Sequence, residues 1–200
     1  MPRDTRTFDE RRQAMAEAAG TLLRTEGPGA VTHRRVATAA GIPVGSANHI
    51  YRTQSELYLA AVEFAEEERY RTAAEVVAGL PDRIDDPRET ARLLITAWYS
   101  PPAPEFLVER RIEPMLLASM DPLTRPAMLR GMARITPLLQ TILARAGLGS
   151  TAVSDLLPSL TLGAITFAAT TETDDAMSLA VDTLARLIEA LRKVPGASER

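Results

Sequence analysis

Apolar residues recur at intervals of three and four along most of the chain, which is the spacing of one face of an α-helix. In the first such segment, Thr7 and Glu10 have the spacing of a capping box, and apolar positions follow from Phe8 to Leu23. Gly27 begins a Gly-Pro-Gly stretch that ends the segment. Proline and glycine separate further segments of this kind, and none alternates with the period of a strand. The sequence therefore predicts an all-α protein of about nine helices.

The later helices are bounded by capping residues and prolines. Thr53 and Glu56 repeat the capping-box spacing at the start of the fourth helix, and Leu57 begins its apolar face. A proline- and aspartate-rich loop follows at 81–87. We predict that the fourth helix ends near residue 79. The later helices are predicted at residues 88–100, 105–120, 122–147, 151–171 and 174–193.

Two short helices joined by a tight turn are predicted between residues 32 and 51. Val31 and Val36 have the spacing of a hydrophobic staple around an N-capping Thr32. Gly41 stands where a left-handed residue would end the first helix, and Pro43 fits the first position of the second. The second helix is small and polar, which suits insertion into a DNA major groove. An ordinary helical hairpin is the alternative interpretation of this segment.

The residues around this hairpin resemble those of the tetracycline-repressor (TetR) family. The resemblance covers the first third of the chain, and the remainder matches in length and helical character. It implies a helix-turn-helix DNA-binding domain at residues 1–56 and a ligand-binding and dimerisation domain at residues 57–200. Pro43, Asn48 and Gln54 depart from the family's usual Ser or Thr, aromatic and Lys. The matching residues are Phe8 to Gly27, Ala30 to Thr32, Val36-Ala37, Ala40 to Ile42, Gly45-Ser46, His49, Tyr51 and Ser55 to Leu57.

The resemblance also implies which residues contact DNA. Base edges are assigned to Val44, Gly45, Asn48 and His49, where glycine permits close approach and valine can meet a thymine methyl group. Backbone contacts are assigned to Thr32, Ser46, Tyr51 and Gln54. Phosphate is assigned to Arg34, Arg35 and Arg52, and a flexible minor-groove arm to Arg3 and Arg6. A solvent-exposed surface charge is the alternative for each arginine, and packing against the first helix is the alternative for His49.

The last two helices carry wide apolar faces that predict a two-fold dimer. The final stripe steps by four and three residues, as at a helix–helix interface, and the preceding helix offers small residues for close approach. The TetR resemblance implies a four-helix interface of this kind, and a purely intramolecular core is the alternative. A symmetric dimer would require an inverted-repeat operator. The residues assigned to the interface are Leu160, Ala164, Phe167, Met177, Val181, Leu184, Ile188 and Leu191.

The resemblance further implies a small-molecule effector pocket among the fourth to seventh helices. Charged Arg111 and Glu68 fall on apolar faces, where charge is unfavourable unless it is paired. We predict either that they form a structural ion pair or that Arg111 holds an acidic ligand. Methionine suits an adaptable pocket, although each apolar residue could equally belong to the core. The candidate lining residues are Phe64, Trp98, Phe106, Arg111, Met115, Met120, Met132 and Ile135.

The composition of the chain limits the kinds of function that its sequence allows. The chain of 200 residues has a net charge of −3, but residues 1–60 carry eight arginines and six acids, so the excess of basic charge lies at the N-terminal end. No cysteine and only two histidines are present, both in the hairpin, so the usual zinc and Cys–His sites are excluded. We find no catalytic or metal-binding set, expect no cofactor, and see no apolar run of membrane-spanning length.

These observations predict a cytoplasmic, dimeric transcriptional regulator that represses from a palindromic operator and is released by a small molecule. The alternatives are a cofactor-free all-α enzyme and a helical protein-interaction module. The effector, the operator sequence and the choice between repression and activation cannot be read from the sequence.

Overall fold

The computed structural model describes residues 5–100, 112–148, 159–164, 166–167 and 176–193. Every regular element in these ranges is helical, which confirms the all-α prediction. A short 3-10 turn at Pro28–Ala30 follows the first helix, and residues 159–164 are also helical. The named helices are α1 (Phe8–Glu26), α2 (His33–Ala39), α3 (Val44–Ile50), α4 (Gln54–Ala78), α5 (Pro87–Tyr99), α6 (Glu113–Met120), α7 (Arg125–Arg145) and α8 (Ala176–Arg192).

Side-chain caps explain where α1 and α4 begin. At α1 the capping box is complete, since Glu10 N–H donates to Thr7 Oγ1 (3.2 Å) and Thr7 N–H donates to the Glu10 carboxylate (2.6 Å). At α4 the N–H of Glu56 donates to Thr53 Oγ1 at 3.1 Å. The Glu56 carboxylate accepts from the N–H of Arg52 at 2.8 Å, which lies one residue before the position that a capping box uses.

The chain divides into two compact units. Unit 1 comprises Met1–Glu68 and Glu109–Gly131, and unit 2 comprises Arg69–Val108 and Met132–Arg200. These units do not coincide with the sequence division at residue 56. The first turns of α4 belong to unit 1, and so does the stretch from α6 into α7, because a segment remote in sequence returns to its core.

Unit 1 has a core of small and medium apolar side chains. It joins α1, the helix pair α2–α3 and the start of α4 to three residues of the α6–α7 stretch, namely Ala118, Ala127 and Met128. The approach of α1 to α4 is very close at Gly20, where a built Cβ would lie 2.9 Å from both Cβ and Cγ of Phe64. The fully buried members include Met15, Ala19, Val31, Val36, Ala37, Ala47, Leu57 and Ala61.

In unit 2, α5 packs against α8. Arg192, at the end of α8, donates to the carbonyl oxygens of Ile84 (2.7 Å) and Ala146 (3.0 Å), and so ties the loop before α5 to the end of α7. Arg69 is 1% exposed; it donates to the Trp98 carbonyl at 3.1 Å and its guanidinium lies 5.6 Å from the Trp98 ring centroid. Within the described ranges, no helix is long and apolar enough to cross a membrane.

Candidate nucleic-acid interface

The turn between α2 and α3 is built as its sequence indicates. Val31 and Val36 are fully buried on either side of Thr32, whose hydroxyl accepts the N–H of Arg35 at 3.3 Å. Gly41 has a φ of 64°, in the left-handed region that favours glycine. Pro43 is the residue immediately before α3 rather than its first residue.

The helix α3 presents two different faces. Ala47 and Ile50 are buried, and Ser46 is half-buried. Val44, which is 47% exposed, lies with Gly45, Asn48 and His49 on the open surface. This surface offers a methyl-bearing side chain, which can meet a thymine methyl group, and an amide, which can pair with adenine, beside an imidazole and a bare stretch of backbone.

Contacts within the described part of the chain do not explain why residue 45 is glycine. No described atom outside its immediate helical surroundings lies within 4 Å of a Cβ built at this position. A glycine within a helix is destabilising by roughly 1 kcal/mol relative to alanine. Packing among the described residues therefore does not require glycine at this position.

The residues assigned to the DNA backbone lie around α3, and some of them already have partners within the chain. Thr32, Arg34 and Arg52 are exposed. Arg35 forms an ion pair with Glu26 at the end of α1, and both side chains are 45% exposed. The Gln54 side-chain amide donates to the Val31 carbonyl, so this residue is already fastened to the entry of α2.

The assignment of Tyr51 to the DNA backbone is corrected by the structure. The residue is 2% exposed, its hydroxyl donates to the Arg12 carbonyl at 3.3 Å, and its ring lies 4.5 Å beneath the Arg12 guanidinium. Burial raises the pKa of Tyr51, and the positive charge of Arg12 offsets this in part. Tyr51 therefore belongs to the core that supports α3. The helical period could not predict this, because where a helix ends it does not separate a surface aromatic from a core aromatic.

Arg6 also lies in a different place from the one predicted for it. Arg6 does not extend as a flexible arm: its guanidinium donates to the carbonyl oxygens of Ala40 (3.0 Å) and Gly41 (2.8 Å) in the turn before α3. Arg3 lies outside the described residues. Helical periodicity cannot predict these contacts, because they join residues more than thirty positions apart.

The residues assigned to an effector pocket fall in both units. Phe64, Met115 and Met120 belong to unit 1, while Trp98, Met132 and Ile135 belong to unit 2. Met120 is 79% exposed, whereas Ile135 is fully buried. Phe106 and Arg111 lie outside the described residues, so their assignments stay predictions.

A small, partly open cleft in unit 1 adjoins Met115, one of the predicted pocket residues. It has a volume of about 10 Å³ and is lined by residues that include Leu23, Arg24, Glu66 and Met115. This volume suits one water molecule and not an effector. Glu68, predicted as a partner of Arg111, has Arg24 as a described partner, with 3.5 Å between Nη1 and Oε2.

The predicted dimer residues separate into buried and open groups. On α8, Val181, Leu184 and Ile188 are at most 6% exposed in the single chain, so this part of the stripe is core of unit 2. Leu160 and Phe167, in contrast, are 44% and 66% exposed. Ala164, Met177 and Leu191 are half-buried. No group of three or more His, Asp or Glu residues suited to a metal ion occurs in the described part of the chain.

Comparison with known proteins identifies similar structures. No protein-family model and no curated protein sequence matches the chain. The multidrug binding protein EbrR in complex with ethidium is 28% identical, with a TM-score of 0.61 over 88% of this chain and 98% of EbrR. EbrR in complex with imidazole is 27% identical, with a TM-score of 0.62 over 98% of this chain and 99% of EbrR.

A protein from Saccharomonospora viridis, described as a transcriptional regulator and solved with choline, shares the fold at 13% identity. Its TM-score is 0.63, over 94% of this chain and 97% of that protein. Together with the helix-turn-helix geometry of α2 and α3 and the all-helical fold, these similarities support the resemblance of the chain to TetR-family regulators.

Proposed function

We propose that this protein is a cytoplasmic, TetR-type transcriptional repressor that binds an inverted-repeat operator as a homodimer and leaves it when a small molecule binds. The observation that carries the proposal is the open face of α3. There Val44, Gly45 and Asn48 are exposed beside His49, and only Ala47 and Ile50 anchor the helix in the core. Such a face is suited to a major groove.

In this proposal, base edges are read by the open face of α3 and phosphates are held around it. Asn48 has the amide geometry that recognises adenine, and Gly45 allows the helix backbone to approach the groove. Thr32, Ser46 and Gln54 serve the DNA backbone, together with Arg34, Arg35 and Arg52. Tyr51 supports these residues from the core and is not one of the contacts.

The homodimer is supported by the apolar surface near the end of the chain. Leu160 and Phe167 expose 44% and 66% of their surface in the single chain, which is unusual for large apolar side chains unless a partner covers them. A two-fold homodimer would read an inverted repeat whose half-sites lie about one helical turn, roughly 34 Å, apart.

The small-molecule function is supported by the neighbours. EbrR has been solved with ethidium and with proflavin, and the Saccharomonospora viridis protein with choline. We propose an organic effector and treat ethidium and proflavin as the first compounds to test. Release from DNA requires the effector to prefer the conformation that does not bind the operator.

Selection of duplexes from a randomised library tests the DNA-binding proposal. The wild-type protein should enrich an inverted repeat, and Asn48→Ala should weaken binding to that repeat by roughly 1–3 kcal/mol per half-site while leaving nonspecific DNA binding unchanged. Gln13→Ala is the matched control, because it removes an exposed amide that hydrogen-bonds to Glu17 on α1. If the wild-type protein enriches no sequence, or if Asn48→Ala binds as wild type does, this assignment is wrong.

A titration of the protein–operator complex with ethidium and proflavin tests release. Release should accompany a raised melting temperature of the free protein, since a ligand of the folded state stabilises it by mass action. Binding of either compound without release would contradict the proposed mechanism for that compound.

A further inference from the structure

The recognition helix α3 has little packing of its own. It contains seven residues, and its buried side chains are Ala47 and Ile50. Among the described residues, no side chain caps its N-terminus. Isolated helices of this length are unstable in water, so α3 depends on its packing through Ala47 and Ile50 and on contacts at its ends.

Two arginines make these contacts: Arg6, which directly precedes the N-cap of α1, and Arg12, in the second turn of that helix. Before α3, the Arg6 guanidinium donates from Nη1 to the Ala40 carbonyl at 3.0 Å and from Nη2 to the Gly41 carbonyl at 2.8 Å. After the last turn of α3, Arg12 Nη1 donates to the Ile50 carbonyl at 3.2 Å, and the Arg12 guanidinium lies over the Tyr51 ring.

The chemistry of these contacts suits a rigid attachment. Carbonyl groups at the end of a helix lack intrahelical partners and carry the negative end of the helix dipole. A guanidinium offers several donors in a fixed fork, and hydrogen bonds from a charged donor are stronger than those from a neutral one. Arg6 directly precedes Thr7, whose complete capping box fixes the start of α1. The arginine is therefore joined to a well-defined helix end.

We propose that Arg6 and Arg12 are positioning residues that set the orientation of α3 for DNA reading, and that Arg6 acts on the turn and not in the minor groove. This inference rests on the proposed function. It implies that Arg6 contributes to operator affinity without displacing counterions from DNA, because its charge is directed at the two carbonyl groups of the turn.

Salt dependence separates positioning from direct contact. Each phosphate that a cation neutralises adds about 0.9 to the slope of log affinity against log salt concentration, and a base-independent contact also strengthens nonspecific binding. Arg6→Gln and Arg6→Lys should each weaken binding of the selected operator by about tenfold, because neither side chain reproduces the two-donor fork. The salt slope and the affinity for a scrambled duplex should stay at wild-type values. Arg12→Gln should behave in the same way.

Arg34→Gln is the matched control, since Arg34 is exposed on α2 and is proposed to meet phosphate. Its salt slope should fall by about one per protomer on both duplexes. A fall in the slope for Arg6→Gln that Arg6→Lys restores would overturn the positioning role and assign Arg6 to DNA. Wild-type operator affinity in both Arg6 variants would overturn it as well.

Amide hydrogen exchange on the full chain gives a second readout. In Arg6→Gln, the amides of α3 should exchange faster while those of α1 keep wild-type rates. Equal acceleration throughout unit 1, or melting below the assay temperature, would show that Arg6 holds the whole unit and would overturn a role specific to α3. Failure of the wild-type protein to select any duplex is a separate result, which refutes the proposed function instead.

Discussion

Replacing two glycines by alanine, one at a time, should have opposite effects on stability and on DNA binding. Gly20 and Gly45 both lie within helices of unit 1, and the same methyl group is added in each case. At Gly20 the new Cβ would lie 2.9 Å from Cβ and Cγ of Phe64 and closer still to its ring. At Gly45 it would meet no described atom within 4 Å outside its immediate helical surroundings.

The magnitude at Gly20 follows from two opposing terms. Alanine favours a helix interior over glycine by about 1 kcal/mol. Forcing an extra methyl group into a packed core typically costs about 1–3 kcal/mol. The closest atoms include Phe64 Cβ, which is fixed to the α4 backbone and cannot rotate away, so the upper part of that range applies. We expect Gly20→Ala to lower the free energy of unfolding by about 1–2 kcal/mol.

At Gly45 only the favourable term remains, so Gly45→Ala should raise the free energy of unfolding by up to about 1 kcal/mol. Its effect on DNA binding is the reverse, because the added methyl group projects from the open face of α3. Operator affinity should fall in Gly45→Ala, whereas Gly20→Ala should keep wild-type operator affinity below its melting temperature.

Thermal unfolding and operator titration of both variants test this pair. For a chain of this size, 1 kcal/mol corresponds to roughly 2–4 °C in melting temperature, so the two variants should melt on opposite sides of the wild-type protein. Melting of Gly20→Ala at or above the wild-type temperature would refute the packing argument. Wild-type operator affinity in Gly45→Ala would refute the argument that a partner requires glycine there.

Two further predictions concern charge. Glu26→Gln should strengthen binding to both operator and scrambled DNA at low salt, because it releases Arg35 from its ion pair. Arg35→Ala should weaken binding to both duplexes and lower the salt slope. Equal binding by the wild-type protein and Glu26→Gln would contradict this prediction. Burial raises the pKa of Tyr51 above 10.0, so its contribution to stability is complete below that pH and is lost as pH rises through the folded value. Tyr51→Phe should therefore lose less melting temperature than wild type between pH 9 and pH 11, and an equal loss would show that Tyr51 does not titrate with unfolding.

The helix-turn-helix could be predicted closely because its determinants are local. Thr7 with Glu10, and Thr32 between Val31 and Val36, act over three to five residues, so sequence spacing alone specifies them. Gly41 is needed for a left-handed turn that few other residues adopt. Each of these predictions is confirmed at the residue that the sequence indicated.

Contacts between distant residues could not be predicted in this way. Arg6 reaches a turn 34 residues away, and Tyr51 donates to a carbonyl 39 residues earlier. Both residues are assigned to DNA by the TetR resemblance, and sequence spacing could not correct this, because it identifies neighbours along a helix and not contacts across the core. The predicted sites at Phe106 and Arg111 lie outside the described residues and stay predictions.

The composition of unit 1 bears on how an effector would reach the DNA-reading helix. Ala118, Ala127 and Met128 come from a part of the chain assigned by its sequence to the effector domain, yet they share a core with Leu23 and Ala61. Protein cores are close-packed, so displacement of the α6–α7 stretch must be accommodated by the helices that it contacts. Under the proposed function, an effector that shifts this stretch would bias unit 1 directly. The fraction of protein released from DNA would then be set by the difference between the effector's affinities for the shifted and unshifted states, and not by its overall affinity.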